Sequence, residues 1–358
     1  MRDRSLPACL LAVAALGCGG KEFQGDGGAA ETGGAGVTGG SSGSAGMPSG
    51  GMGGAAGAGS GGGAGMPGCS CAPTEYCRGG ECLPCAELSS LDFGEPALLL
   101  DDPALSLRFP RSGDTASSLF YRGGDDGGGR IHYTPNANAL GALVGNPDVN
   151  QQSGLLFVRD LNRSYNVVFD EINQGTRTAR AATWSGSALA AEMEMPPPLS
   201  PGGFDDYSIA AATTTARLYW MSSRDGVPRL RTGMLESGNG DIVTIDVPKR
   251  SGTGTCPRDG ADATPWVTPD GRRLFFRSFP LDDACQPLDA TTTDLFVAPI
   301  EPISGMPAQP AVALASLNEV GTTETDPSLS PDFCTIYFAS DRGSNGNSDF
   351  KLYRAARR

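Results

Sequence analysis

The sequence predicts an all-β propeller with five recognisable blades, or six if one has decayed, behind a disordered N-terminal region. Two observations carry this expectation. An aliphatic–aromatic–apolar triplet recurs as Leu119-Phe120-Tyr121, Leu156-Phe157-Val158, Leu218-Tyr219-Trp220, Leu274-Phe275-Phe276 and Ile336-Tyr337-Phe338. Three consecutive apolar residues break the alternation of a half-exposed strand and point to burial on both faces, as between neighbouring blades. Second, turn chemistry precedes two of the triplets, at Thr268-Pro269-Asp270-Gly271 and Ser330-Pro331-Asp332. Proline presets φ there, and the aspartate can bond its own backbone. Copy spacing runs from about 37 to about 62 residues, near or above known propeller periods. Insertions such as the proline-rich 195–203 account for part of the spread.

The fullest copy lies in the last thirty residues. Residues 335–340 (TIYFAS) and 350–354 (FKLYR) read as strands, separated by a Gly/Asn/Ser/Asp loop that opens with Asp341-Arg342. This unit resembles the repeat of TolB-type β-propellers. That repeat runs roughly P-x-x-S-P-D-G, a buried I-x-F strand, S-D-R-x-G and an aromatic-rich strand. Phe333 stands where the repeat prefers glycine, and the best second copy spans 264–298. The resemblance implies a propeller with an interaction role in the cell envelope, where TolB works with the Tol–Pal machinery. It implies no reaction.

Taken in order, residues 1–17 read as a lipoprotein signal peptide. Arg2 and Arg4 precede an apolar run over 6–16 that is too short to span a bilayer as a helix. Ala15-Leu16-Gly17-Cys18 resembles a bacterial lipobox, which would make Cys18 the acylated anchor in the lipid bilayer. The other reading is an ordinary secretory peptide with Cys18 in the discarded part. Residues 18–68 are mostly Gly, Ala, Ser and Thr and lack the apolar surface to fold, so they are expected to form a tether with a reach on the order of 40 Å. Residues 69–86 form a small Cys-rich segment holding Cys69, Cys71, Cys77, Cys82 and Cys85. Disulfides are the expectation for an exported chain, with a thiolate zinc site as the rival. The folded domain then covers 88–358 and adds Cys256, Cys285 and Cys334.

Blade one is expected over 105–135, with strands at 118–122 and 130–133. Blade two has strands at 155–159 and 166–171, with 177–184 as its outer strand. Blade three has 217–221, 229–234 and the alternating 241–247; blade four has 272–277 and 294–298. Residues 189–195 look like one helical turn cut off by prolines. The last blade runs out of chain after its third strand. Pro96-Ala97-Leu98-Leu99-Leu100 matches Pro310-Ala311-Val312-Ala313-Leu314 in pattern, so the N-terminal stretch should supply the missing fourth strand and close the ring. Cys256 and Cys285 flank one strand of blade four and are expected to pair. Cys85, just before the closing strand, is expected to pair with Cys334, leaving Cys69, Cys71, Cys77 and Cys82 to pair among themselves.

The chain of 358 residues carries 27 Lys and Arg against 40 Asp and Glu, a net charge of −13 that argues against nucleic acid as a partner. The single histidine, His132, sits inside a predicted strand and leaves no material for a Ser-His-Asp triad elsewhere. The doublets Asp101-Asp102, Asp125-Asp126, Asp205-Asp206 and Asp282-Asp283 fall in predicted loops. They suit turns, although a glycosidase would use two such carboxyls across a cleft. Asp341, Asn345, Asn347 and Asp349 lack the spacing of an EF-hand loop. The expected function is a membrane-tethered lipoprotein at the outer membrane or periplasmic face. Its monomeric head would bind an envelope protein, peptide or glycan, without a cofactor; the alternative is a glycan-cleaving hydrolase.

Overall fold

The computed structural model describes residues 72 and 75–358, except 79–80, 86–90, 114, 116, 125–128, 145–149, 152–155, 158–164, 174–175, 196–197, 200–204, 236–240, 252–253, 257–261 and 345–348. Residues 1–17, Cys18, residues 19–68, Cys69 and Cys71, with the signal-peptide, anchor and tether expectations that fall on them, lie outside the described residues.

Five antiparallel sheets form the blades, and four of the five triplets lie in their second strands. Blade 1 is built in order from Leu107–Ser112, Leu119–Gly123, Arg130–Thr134 and Ala142–Leu143. Blade 3 is Asp206–Ala212, Arg217–Ser222, Arg229–Met234 and Val243–Thr244. Blade 4 is Ala263–Val267, Arg273–Ser278, Asp294–Pro299 and Val312–Ala313. Blade 5 is Glu324–Leu329, Thr335–Ser340, Lys351–Ala356 and, from the other end of the chain, Ala97–Leu100. In blade 2 the first strand is broken into Asn150–Gln151 and Leu156–Phe157. Both pieces pair with Val167–Asn173, which is followed by Thr176–Trp184 and Leu189–Glu194.

Burial explains why three apolar residues stand in a row. In every blade the two outer members of the triplet face the preceding blade and the middle member faces the next one. Leu274 and Phe276 join the cluster with blade 3, while Phe275 joins the cluster with blade 5. Ile336 and Phe338 pack toward blade 4 and Tyr337 toward blade 1; Leu119 and Tyr121 pack toward blade 5 and Phe120 toward blade 2. Five seams result, each filled by its own apolar cluster, and each buried side chain is worth about 1.5–3 kcal/mol.

The same rule corrects the reading of blade 2. Its triplet is Val167-Val168-Phe169, with Val167 and Phe169 toward blade 1 and Val168 toward blade 3. Leu156-Phe157 instead belongs to the broken first strand, and triplet spacing becomes a smoother progression of about 48 to about 62 residues. Residues 176–184 are the third strand, and the outer one is Leu189–Glu194, the stretch expected to be a helical turn. Ala191 has φ 52° inside it, and this breaks the strand alternation that would have identified it. In blade 3 the ladder of the fourth strand is only Val243–Thr244, although Ile245 and Val247 remain buried.

The N-terminal strand closes the ring as expected. Ala97 pairs with Arg354, Leu98 with Tyr353 and Leu100 with Leu352, and Phe93 bridges Arg357. A register shift between Leu352 and Tyr353 turns both Leu99 and Leu100 inward and leaves Leu98 outside. Two hairpins lie outside the blade sheets: Glu75–Arg78 with Glu81–Pro84, and Lys249–Ser251 with Gly254–Cys256, the second tied to blade 4 by a bridge from Lys249 to Ala311.

Candidate functional site at the propeller axis

First strands line the axis of a propeller, and here four of them share one distortion. Phe109, Ser208, Thr264 and Asp326 all have φ between 49° and 56°. At each the pairing with the second strand slips by a bulge. A left-handed non-glycine residue in a strand costs roughly 1–3 kcal/mol and persists only where its surroundings compensate. The compensation is a chain of bonds around the axis. The Phe109 N–H donates to Asp326 Oδ2 at 3.3 Å, and the Asp326 N–H donates to Thr264 Oγ1 at 3.3 Å. The Ser208 N–H donates to Asp170 Oδ1 at 3.2 Å, where blade 2 supplies the acceptor from its second strand. Bulge thus bonds to neighbouring blade, and the ring is stitched from inside.

Arg111 crosses this ring. It is 2% exposed, and its Nη1 donates to the Pro327 carbonyl of blade 5 at 2.8 Å while Nη2 donates to the Pro265 carbonyl of blade 4 at 3.4 Å. Burial lowers its guanidinium pKa to about 10, against the opposing attraction of Asp326 and Asp170. Arg108 Nε lies 3.2 Å from Asp326 Oδ2. Two carboxylates from different blades, Asp170 and Asp326, both act on Arg111 in the axial core, and both are wholly buried. They are engaged with backbone and guanidinium groups.

A second acid recurs where first strands begin. Glu324 Oε1 accepts from Ser340 Oγ at 2.9 Å and from Arg342 Nη2 at 2.7 Å. Asp206 accepts from Arg224 Nη2 at 2.6 Å and from Trp220 Nε1 at 3.2 Å. Asp262 accepts from Ser278 Oγ at 2.8 Å and pairs with Lys249 Nζ at 2.6 Å. Blade 4 has Phe279-Pro280 where Ser-Asp-Arg would continue, and the hairpin lysine takes the arginine's place. The S-D-R signature is thus a buried clamp on the first strand, and Asp341 completes it by accepting from the Thr323 N–H at 2.7 Å.

Beside Glu324 lies Asp294, at the start of blade 4's third strand. Burial, reinforced by the Glu324 charge, pushes its carboxyl up to about 6. His132 stacks on Tyr121 with ring centroids 5.3 Å apart, and burial lowers its pKa. The described Asp doublets are held locally. Asp101 pairs with Lys351 at 2.9 Å, Asp102 accepts from the Ala104 N–H, Asp205 from the Arg177 N–H, and Asp282 from Ala284 and Gln286 N–H groups. Asp125, Asp126, Asn345 and Asn347 lie outside the described residues. Among the described residues no three His, Cys, Asp or Glu side chains gather as metal ligands would.

Disulfides join Cys85 to Cys334, with Cα atoms 5.0 Å apart, and Cys256 to Cys285, at 5.3 Å. Backbone register sets Cys77 opposite Cys82 in the first hairpin. The axial residues were missed in the sequence because Pro110, Pro265 and Pro327 follow three of the bulges, and proline argues against a strand interior. That repeated x-Pro was itself the usable signal.

The architecture defines a five-bladed β-propeller with a closed, polar axial core. No family model matches the sequence, and no curated protein matches it. Among solved structures it is similar to TolB from Acinetobacter baumannii, at 12% identity and TM-score 0.41, over 70% of this chain and 54% of that one. The chain therefore spans about half the length of that TolB. It is also similar to arabinanase Arb43A from Bacillus subtilis, at 12% identity and TM-score 0.45, over 72% of this chain and 96% of that one. A third is the α-L-arabinofuranosidase PaAbf62A from Podospora anserina, at 12% identity and TM-score 0.41, over 74% and 95%. None of these values places the chain in a family.

Proposed function

We propose that the chain is an exported cell-envelope protein, anchored to a bilayer through acylated Cys18. Its monomeric propeller offers a binding platform to an envelope protein, a peptide or a glycan. One observation carries binding over hydrolysis: Asp170 and Asp326, the carboxylates that act on Arg111 in the axial core, are fully buried and bonded to neighbouring blades. A rigid ring whose loops come from distant parts of the chain suits recognition. The Cys85–Cys334 and Cys256–Cys285 disulfides favour an oxidising compartment. Fold analogy supplies a class of roles and no ligand. In-cell cross-linking of the tethered protein tests the platform: a discrete partner lost with the head supports it, and capture no different from that of tether alone contradicts it. Metabolic palmitate on Cys18 tests the anchor, which unlabelled protein free in the periplasm would end.

A second reading, glycan hydrolysis, is favoured by Asp294. Its carboxyl, raised by burial and by the Glu324 charge, lies beside the clamped Glu324, and two neighbouring carboxyls are the raw material of glycosidase chemistry. Turnover on a polysaccharide panel that Asp294→Asn abolishes would establish it over the binding reading.

A further inference from the structure

We propose that the Cys85–Cys334 disulfide is a strain relief for the ring. It carries tension from the N-terminal side into the middle of blade 5 and keeps that tension off the closing strand. The device rests on the anchored reading above, since only a head held by its N-terminal side is loaded this way.

Order along the chain sets the load path. Cys85 follows the hairpin strand Glu81–Pro84 and precedes the closing strand Ala97–Leu100, so a pull from residues before it meets the disulfide first. Without the disulfide the same pull would arrive at Phe93, whose bridge to Arg357 is the outermost link of the closing ladder. A ladder loaded at one end opens a bond pair at a time, each worth only about 0.5–1.5 kcal/mol. The closing strand has four residues and is bonded along one edge only, to Lys351–Ala356.

Cys334 makes a stronger attachment. It leads into Thr335–Ser340, which is paired on both edges, to Glu324–Leu329 and to Lys351–Ala356. Ile336, Tyr337 and Phe338 of that strand fill the seams with blades 4 and 1. Pulling it out means breaking two ladders and two apolar seams together. Arg357 ties the same corner: its N–H donates to the Cys334 carbonyl at 2.9 Å and its Nη1 to the Cys85 carbonyl at 2.6 Å. Cys85 is 0% exposed and Cys334 half-buried, so a reductant reaches the link from the Cys334 side.

Single-molecule pulling on the full chain tests this, with one handle at the N-terminus and another inserted at Val320, a fully exposed loop position. Apart from stretching of the residues before Cys85 and opening of the Glu75–Pro84 hairpin, the oxidised protein should show no step before the head unfolds. Cys85→Ser should add an early low-force step on the order of 70 Å, the length released between Cys85 and the first strand of blade 1. Reducing the folded wild type in the trap with a phosphine should add the same step, and this arm does not depend on the variant folding. A step on the order of 70 Å in the oxidised chain, or none of that length after reduction, would overturn the proposal. Neither result depends on acylation, so failure here is distinguishable from failure of the anchor, which palmitate labelling reads.

Discussion

At the scale of single residues, buried charge sets the stability of the ring. Arg111 faces Asp326 and Asp170 in a space where none of the three is more than 2% exposed. Replacing it by methionine keeps an unbranched apolar stem and removes the cation, so that two buried carboxylates lose the positive charge they share, although Asp326 keeps Arg108. Arg111→Met should therefore cost about 3–5 kcal/mol in chemical denaturation, and a loss under 1 kcal/mol would show the axial core to be tolerant. Asp294 makes the opposite prediction. Its folded pKa, about 6, lies above its ordinary 3.8, so the native state favours the protonated form. The site contributes most below about pH 4, and that contribution is lost as pH rises through about 6. Asp294→Asn should raise the unfolding free energy at pH 8 by about 1 kcal/mol after discounting for partial exposure, and change it little at pH 4. Equal shifts at both pH values would exclude a buried carboxylate as the cause. Phe333 shows why the TolB repeat prefers glycine at this turn. It has φ 62°, as Gly271 has φ 70° in blade 4, and each N–H donates to the carbonyl three residues back at 2.8 Å.

At the scale of elements, the second strands were legible because burial on both faces writes itself as three apolar residues in a row. Third strands followed from the loop after them. First strands were opaque. Their bulges put Pro110, Pro265 and Pro327 inside ladders, and the functional content of the axis went unseen with them. Blade 2 misled for a related reason: its first strand carries Leu156-Phe157, while the true triplet, Val167-Val168-Phe169, holds one aromatic residue and runs into the charged Asp170-Glu171. The closing strand was readable from its likeness to residues 310–314, but its inward face was not, because the register shift at Leu352 is set by pairing. This element carries its own prediction. Leu100, 4% exposed, packs at the seam of blades 5 and 1, and Leu98 is 53% exposed. Leu100→Ala should cost about 2–4 kcal/mol and Leu98→Ala less than about 0.5 kcal/mol. Equal losses from the two would mean that the strand sits in another register.

For the whole molecule, the account reduces to one geometric claim: the N-terminal strand and the C-terminal blade are a single sheet, so chain ends separated by most of the sequence meet at one corner. Deleting residues 91–100 should then give insoluble or protease-sensitive protein, because the third strand of blade 5 and its seam would lose their cover. Deleting residues 20–65 should leave the melting temperature of the head unchanged. Covalent mapping addresses the claim most directly, since Cys85 and Cys334 are 249 residues apart and only closure brings them together. Non-reducing proteolysis of the protein produced in an oxidising compartment, followed by mass spectrometry, should recover one peptide pair linking Cys85 to Cys334 and another linking Cys256 to Cys285. Recovery of Cys85 joined instead to a cysteine of the 69–82 segment, with Cys334 free, would contradict the closed ring.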